Sequence, residues 1–198
     1  MSDLKGIANY LFEAGILNKT PRSGFWFLGS GEQSVAEHIH RMIHVGFALA
    51  KMEGADVSKV VQMVLFHDFA EGRTADLNYV HQKYVTSDEE AAVNDLVKTL
   101  PFGQDIKDLL HEYEKRESIE SKLVKDADNI ELLLSLKEQQ DVGNERAATW
   151  IPSLMMRLKT ESGKKLAEAI VSTQSDDWWF SEKDKADSWW VDRNGKKA

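Results

Sequence analysis

Apolar side chains recur at helical spacing along most of the chain. Behind Ser34, the residues Val35, Ile39, Met42, Ile43, Gly46, Phe47 and Ala50 fall on one stripe of a helix. Glu37 stands three residues after Ser34, the capping-box arrangement in which each side chain satisfies the other's free backbone N–H. The same periodicity predicts further helices over about 3–14, 57–71, 87–100, 103–115, 118–140, 144–159 and 161–174. A Gly-rich loop, "PRSGFWFLGSGEQ", precedes Ser34, and a second loop is expected over about 73–84. Pro21, Pro101 and Pro152 fall where the helical pattern breaks. Alternating strand patterns of useful length and solenoid repeats are both absent, so the expected fold is all-α. The pattern reads as one helical-bundle domain over residues 1–175 and a Trp-rich C-terminal extension over 176–198. The extension holds two similar pieces, "DDWWFSEKDK" and "ADSWWVDRNGKK", expected to pack on the helical body or to form a dimer contact or lid.

Charge and composition narrow the chemistry. The formal net charge is -8, which argues against a diffuse surface for a nucleic acid polymer and leaves room only for a local basic pocket. There are no cysteines, so disulfides, thiolate metal sites and cysteine nucleophiles are excluded, and any metal must take nitrogen and oxygen ligands. No segment approaches the roughly 20 apolar residues of a membrane span. The N-terminus has neither a basic leader nor a long apolar run. A cytoplasmic protein with no membrane partner is the expectation.

Against this background the run "VVQMVLFHDFAEGRTAD" stands out. Its first seven residues carry one polar side chain, Gln62, and then come His67 and Asp68. Residues advance about 100° each around a helix. His67 and Glu71 therefore share the side that carries Val60 and Val64, with Asp68 next to them. A buried ion costs several kcal/mol unless paired or bound to a metal. The bland reading is a satisfied His–Asp pair that helps to end the helix. Two other helices change the balance. His38 lies at the edge of the stripe behind Ser34, with Arg41 one turn on, able to approach the same pocket. His40 and His44 point about 200° away from His38 and are expected on a solvated face. In "SKLVKDADNIELLLSL", Val124, Ala127, Asp128, Glu131 and Leu134 share an inward face, while Asp126 is rotated away and expected to be solvated. A salt bridge would explain Asp128 alone. Together, His38, His67, Asp68 and Asp128 suit one divalent ion (Mn, Co, Fe, Ni, Zn or Mg) with positions left for water or substrate.

Three ordered segments, "SVAEHIHRM", "FHDFAEGRTADL" and "SKLVKDADNIELLL", together with "PRSG" plus an aromatic residue, resemble the HD-domain metal-dependent phosphohydrolase superfamily. Within it, the resemblance is to the group of 5'-deoxynucleotidases represented by YfbR and HD domain-containing protein 2, and it covers residues from about 4 to about 140. It implies that His38, His67, Asp68 and Asp128 are metal ligands. It implies that Glu71 and Asp76 are essential acids beside the metal; our own expectation for the division of roles is Asp76 as acid/base and Glu71 positioning water. Arg22 would meet the substrate phosphate, with Phe25 at the aromatic position beside it; Arg41, by its place one turn after His38, is expected on the substrate as well. The implied reaction is phosphate release from nucleoside 5'-monophosphates, and the implied assembly is a homodimer. An HD hydrolase of another phosphorylated metabolite or signalling nucleotide stands as an alternative, and so does a metal-binding interaction module without turnover. The chain departs from the group's pattern around the substrate. Phe25 stands in the place of a tryptophan, with Trp26 after it. Ala75 stands where glycine is usual, and "LNYVHQKYV" replaces a proline-containing loop. Tyr79, His81 and Tyr84 in that loop are expected to pack rather than to touch a base or sugar.

Overall fold

The structure is a computed structural model that describes residues 2–180. Among the described residues it is all-α, as the pattern predicts, with one isolated bridge, between Pro21 and Ser34. Helix α1 spans Ser2–Ala14, α2 Phe25–Leu28, α3 Val35–Glu53, α4 Val57–Phe66 and α5 Glu71–Thr74. They are followed by α6 Glu89–Val97, α7 Gly103–Lys115, α8 Ile119–Asp141, α9 Glu145–Met155, α10 Glu161–Ser172 and α11 Asp177–Phe180. No helix among them is long and apolar enough to cross a membrane. The second tryptophan pair, Trp189 and Trp190, lies outside the described residues.

Helices α3 and α8 form the centre, and α4, α7, α9 and α10 pack around them. The start of α3 is set by the capping box read from the sequence. The Glu37 backbone N–H donates to the Ser34 hydroxyl at 3.2 Å, and the Ser34 N–H donates to the Glu37 carboxylate at 2.6 Å. Its end is set by Gly54, whose φ of 69° reverses the chain. The buried face of α3 carries Val35, His38, Ile39, Met42, Val45, Leu49 and Ala50. Gly46 lets α4 approach closely, because a methyl group there would stand 3.1 Å from Val60 and 3.2 Å from Val64. That approach brings the end of α4 within reach of His38.

Several expectations are corrected here. Helix α4 stops at Phe66 instead of running on to residue 71. Beyond it the chain tightens into i→i−3 turns, with Phe69 N–H on the Phe66 carbonyl and Glu71 N–H on the Asp68 carbonyl, before the short α5 begins. The loop before Ser34 contains α2, closed by Gly29 at φ 83°. Pro152 sits inside the last turn of α9 instead of at its boundary, and α9 ends at Met155. Trp178 is 85% exposed, so it does not pack on the helical body as expected.

The most instructive correction is Asp126, which is fully buried instead of solvated. Helix α8 is enclosed on more than one side, so the face opposite Val124 meets the α9–α10 junction. There the Asp126 carboxylate accepts from Lys159 N–H at 2.9 Å, Thr160 N–H at 2.8 Å and the Thr160 hydroxyl at 2.7 Å. Gly163 is the matching concession, since a Cβ at that position would lie 2.5 Å from the Asp126 carboxylate. Asp126→Ala strands these buried donors, and we expect it to cost about 3 kcal/mol. The urea-unfolding midpoint checks this, and a loss under about 0.5 kcal/mol, the level of an ordinary surface substitution, would contradict the assignment.

Candidate active site

Two histidines enter the site from different helices, each with its Nδ1 turned to an oxygen acceptor. His38, on α3, is fully buried, and its Nδ1 lies 2.5 Å from the Glu131 carboxylate on α8. His67 caps α4, and its Nδ1 lies 2.8 Å from the Val64 carbonyl oxygen. A carbonyl only accepts, and an ionised carboxylate only accepts, so both Nδ1 atoms carry the proton. In the neutral ring each Nε2 is then left with a lone pair. Both Nε2 atoms are buried and lack a hydrogen-bond partner. A carboxylate oxygen of Asp128 joins them, with the three donor atoms within 4.8 Å of one another. Asp68 lies against the same pair: its Oδ2 stands 3.1 Å from Nε2 of His67 and 3.6 Å from Nε2 of His38, without hydrogen-bond alignment. Two buried imidazole nitrogens facing two carboxylates are chemically suited to a divalent cation. These residues fit such an ion.

Around this centre the charges are predominantly acidic. Burial would raise the Asp68 carboxyl, but His67 and His38 outweigh it and hold it at about 2. Asp128 is likewise held low against its burial, by Lys125 at 2.7 Å and by both histidines and Arg22. For His67 burial disfavours the imidazolium, and Asp68 and Asp128 reverse that and raise its pKa. Glu71 is helped only by Arg22, and too little. Burial, and then repulsion from Asp68 and Asp76, push its carboxyl up to about 10, and its Oε2 is buried without a partner. Asp76 is raised by burial as well, only partly offset by Arg22. Arg22 is the nearby cation: its Nη1 lies 3.4 Å from Asp68 and its Nε 3.6 Å from Asp76. Burial would lower its pKa, and Asp128, Asp68, Asp76 and Glu71 keep it above its ordinary value.

The scaffold that holds Arg22 and Asp76 together is made of residues to which the sequence assigned no role. Arg22 N–H donates to the Gln33 carbonyl at 2.8 Å beside the Pro21–Ser34 bridge. The Ser23 hydroxyl donates to the Asp76 carbonyl at 2.6 Å, and Asn78 Nδ2 donates to that hydroxyl at 2.9 Å. Asn78 Oδ1 also accepts from the Val80 and His81 N–H groups, an Asx turn that shapes the loop. Glu131 is the other missed residue. Besides His38 it accepts from Gln33 at 2.7 Å and Arg41 at 2.8 Å. Its inward spacing, three residues after Asp128, was the available signal.

The structure brings His38, His67, Asp68, Asp128, Arg22, Glu71 and Asp76 together. Phe25 and Arg41 lie elsewhere, along a separate cavity of about 320 Å³ with Glu37, His40 and Glu138. There Arg41 pairs with Glu131 and Glu138, and Phe25 is buried. His40 and His44 are exposed, as expected. Tyr79 and Tyr84 are exposed instead of packed, and His81 is half-buried beside Asn78. A cavity of about 310 Å³ opens over Glu71 and Asp76, with Ala75, Leu77, Gln82, Val85, Thr86, Ser87 and Glu89 completing its wall.

A family model described as HD domain matches residues 14–170. The chain belongs to the HD domain family. It is 30% identical over 146 residues to the 5'-deoxynucleotidase HDDC2 of Bos taurus, covering 71% of each chain. It is 27% identical over 144 residues to the human HDDC2 protein, covering 70% of each. Among solved structures, a conserved hypothetical protein from Pyrococcus furiosus superposes with a TM-score of 0.68 at 26% identity, over 82% of this chain and 98% of that one.

One backbone feature also matters. Ala75 adopts φ 62°, ψ 156°, a region that essentially only glycine occupies without strain, and it does so directly before Asp76. Ala75→Gly is expected to raise stability by about 1 kcal/mol, the relieved strain exceeding the added chain entropy. Chemical denaturation measures this, and a destabilised variant would refute it. Glu131→Gln removes the charge that holds the Nδ1 proton on His38. Binding of an added divalent ion, followed by titration calorimetry on the metal-stripped protein, should weaken by about 10–100-fold. Unchanged affinity would show that Glu131 serves only to join α3 and α8.

Proposed function

We propose that this protein is a metal-dependent phosphomonoesterase that releases phosphate from nucleoside 5'-monophosphates, with 5'-deoxynucleotides as the preferred class. The observation that carries this reading is the pair of buried, unpartnered Nε2 atoms of His38 and His67, set beside a charged arginine and two acids that the metal set does not require. The activity named for the HDDC2 relatives agrees with that arrangement.

In this reading His38, His67, Asp68 and Asp128 hold one divalent ion, which supplies Lewis acidity and lowers the pKa of water. Arg22 binds the phosphate, its charge fixed by the surrounding carboxylates, and stabilises the charge that builds on the phosphoryl oxygens in the transition state. Glu71 orients the attacking water; with a divalent cation offsetting the charge of Asp68 and Asp76 its carboxyl would ionise and take that water's proton. As the new P–O bond forms, the bond from phosphorus to the 5'-oxygen breaks. Asp76 gives its proton to that leaving oxygen, a role for which a raised carboxyl pKa is suited. The nucleoside leaves as the alcohol and the phosphate as the free ion. A homodimer in the cytoplasm is part of the same proposal.

The test is direct. The purified chain is stripped with chelator and reloaded with Mn, Co, Fe, Ni, Zn or Mg singly. Phosphate release is then followed from deoxy- and ribonucleoside monophosphates and from p-nitrophenyl phosphate. Activity should vanish on stripping and return with at least one ion, and deoxynucleotides should be turned over best. Absence of release with every ion would sink the proposal. Glu71→Gln and Asp76→Asn, with metal content intact, should each lose about 100-fold or more in kcat. Near-full turnover in either would remove that residue from its role.

A further inference from the structure

The cavity over Glu71 and Asp76 has two unlike halves. Its floor is acidic, and its outer wall, built by the segment after Asp76, carries Gln82, Val85, Thr86 and Ser87. No lysine or arginine lines it, and Glu89 adds a third carboxylate. A second or third phosphate group would meet three carboxyl groups and no cationic side chain there, whereas a neutral group with hydrogen-bonding edges and a flat apolar face would be accommodated. That is the chemistry of a nucleobase on its sugar.

Gln82 is the one long neutral polar side chain on this wall, and it is held in place. Its Nε2 donates to the Leu77 carbonyl at 2.6 Å, which restrains an otherwise exposed carboxamide. The Oε1 atom and the second N–H of the same amide make no bond within the described residues, so an acceptor and a donor remain side by side. The backbone that carries Gln82 is anchored too. The Gln82 N–H donates to the Asn78 carbonyl, and the Asn78 side chain is tied to Ser23, the neighbour of Arg22. The group that would grip the phosphate and the wall that carries Gln82 are therefore parts of one hydrogen-bonded unit. The distance between them is set before any ligand arrives, which is the condition for a residue to discriminate instead of merely touching.

We propose that Gln82 is a specificity-determining residue, whose carboxamide hydrogen-bonds the edge of the substrate's nucleobase. This rests on the nucleotidase reading above. A side chain offering one acceptor and one donor pairs with a base edge that offers the complement, as asparagine and glutamine pair with the adenine edge. Bases with the wrong pattern leave the amide unpaired and are selected against. Thr86, exposed next along the wall, has a hydroxyl that adapts to donor or acceptor and so discriminates less.

The experiment compares the full-length metal-loaded protein with its Gln82→Ala variant on the four deoxynucleoside monophosphates and on p-nitrophenyl phosphate, which has no base. For the best nucleotide, the ratio of its kcat/KM to that for p-nitrophenyl phosphate should fall about tenfold in the variant. The loss should appear in KM more than in kcat, and the spread among the four bases should narrow. A variant that keeps the wild-type ratio and the same ranking of bases overturns the proposal and leaves the nucleotidase reading standing. A variant that loses activity equally on both kinds of substrate also overturns it, because Gln82 would then be supporting the loop alone. If the wild type hydrolyses p-nitrophenyl phosphate but no nucleotide, the nucleotidase reading falls first and this proposal with it.

Discussion

The contact between His38 and Glu131 holds the site together. Both side chains are fully buried, and they join the two central helices at 2.5 Å. Burying either alone would cost several kcal/mol, so the pair is a constraint as much as a bond. With Glu131 in place, α3 and α8 have one register in which neither charge is stranded. The same contact decides which nitrogen of His38 carries the proton, and hence which nitrogen faces Asp128. Glu131 draws in Gln33 from the loop before α3 and Arg41 from the next turn of α3. Gln33 in turn offers its carbonyl to the backbone of Arg22. A single carboxylate thus links an imidazole that faces the metal set to the segment that carries the arginine beside it.

That order is bought with an unusual concentration of negative charge. Asp68, Asp128, Glu71 and Asp76 surround a space whose nearest guanidinium belongs to Arg22. The imbalance surfaces at Glu71, whose proton is retained far above the ordinary range. Polar groups in a closed fold normally find partners, yet two imidazole nitrogens and one Glu71 oxygen here do not. A divalent cation answers both facts, because it takes the lone pairs and offsets the charge. Arg22 is then left beside the site with a permanent charge, where a phosphate can compete for it.

The sequence disclosed most of the frame and one half of the site. Helices with a single apolar stripe and a clear cap, α3 above all, were legible because local signals and tertiary packing agree there. His38, His67, Asp68 and Asp128 were legible because an ionisable group on an apolar face has few inexpensive explanations. Three kinds of feature were not. Helix α8 is wrapped by neighbours on several sides, so a two-sided wheel misplaced Asp126, which turned out to cap the α9–α10 junction. Glu131 lay on the inward face but had no visible partner, because its partners come from residues about 90 positions away. Ser23 and Asn78 looked like ordinary loop residues, since an Asx turn and a hydroxyl bridge leave no periodic trace. Phe25 was placed on the substrate by resemblance and Arg41 by its spacing from His38, and the structure sets both along a different cavity.

The break after Phe66 explains why the two acids at the heart of the proposal face one cavity. In a continuous helix, residues 71 and 76 would stand about 140° apart around the axis, and the two carboxylates would diverge. The tightened turns after Phe66 re-aim the chain, α5 lasts a single turn, and Ala75 then bends it through a conformation that glycine would adopt without strain. Asp76 emerges against Arg22, while Glu71 remains at the start of α5 beneath the same opening. Strain of about 1–3 kcal/mol at a non-glycine residue persists only where the surroundings over-determine it. The surroundings that do so here are the Ser23 hydroxyl on the Asp76 carbonyl and the Asn78 amide on that hydroxyl. The interruption of α4, which a periodic reading of the sequence could not foresee, is therefore what turns an apolar helix carrying a histidine and an aspartate into one wall of a site.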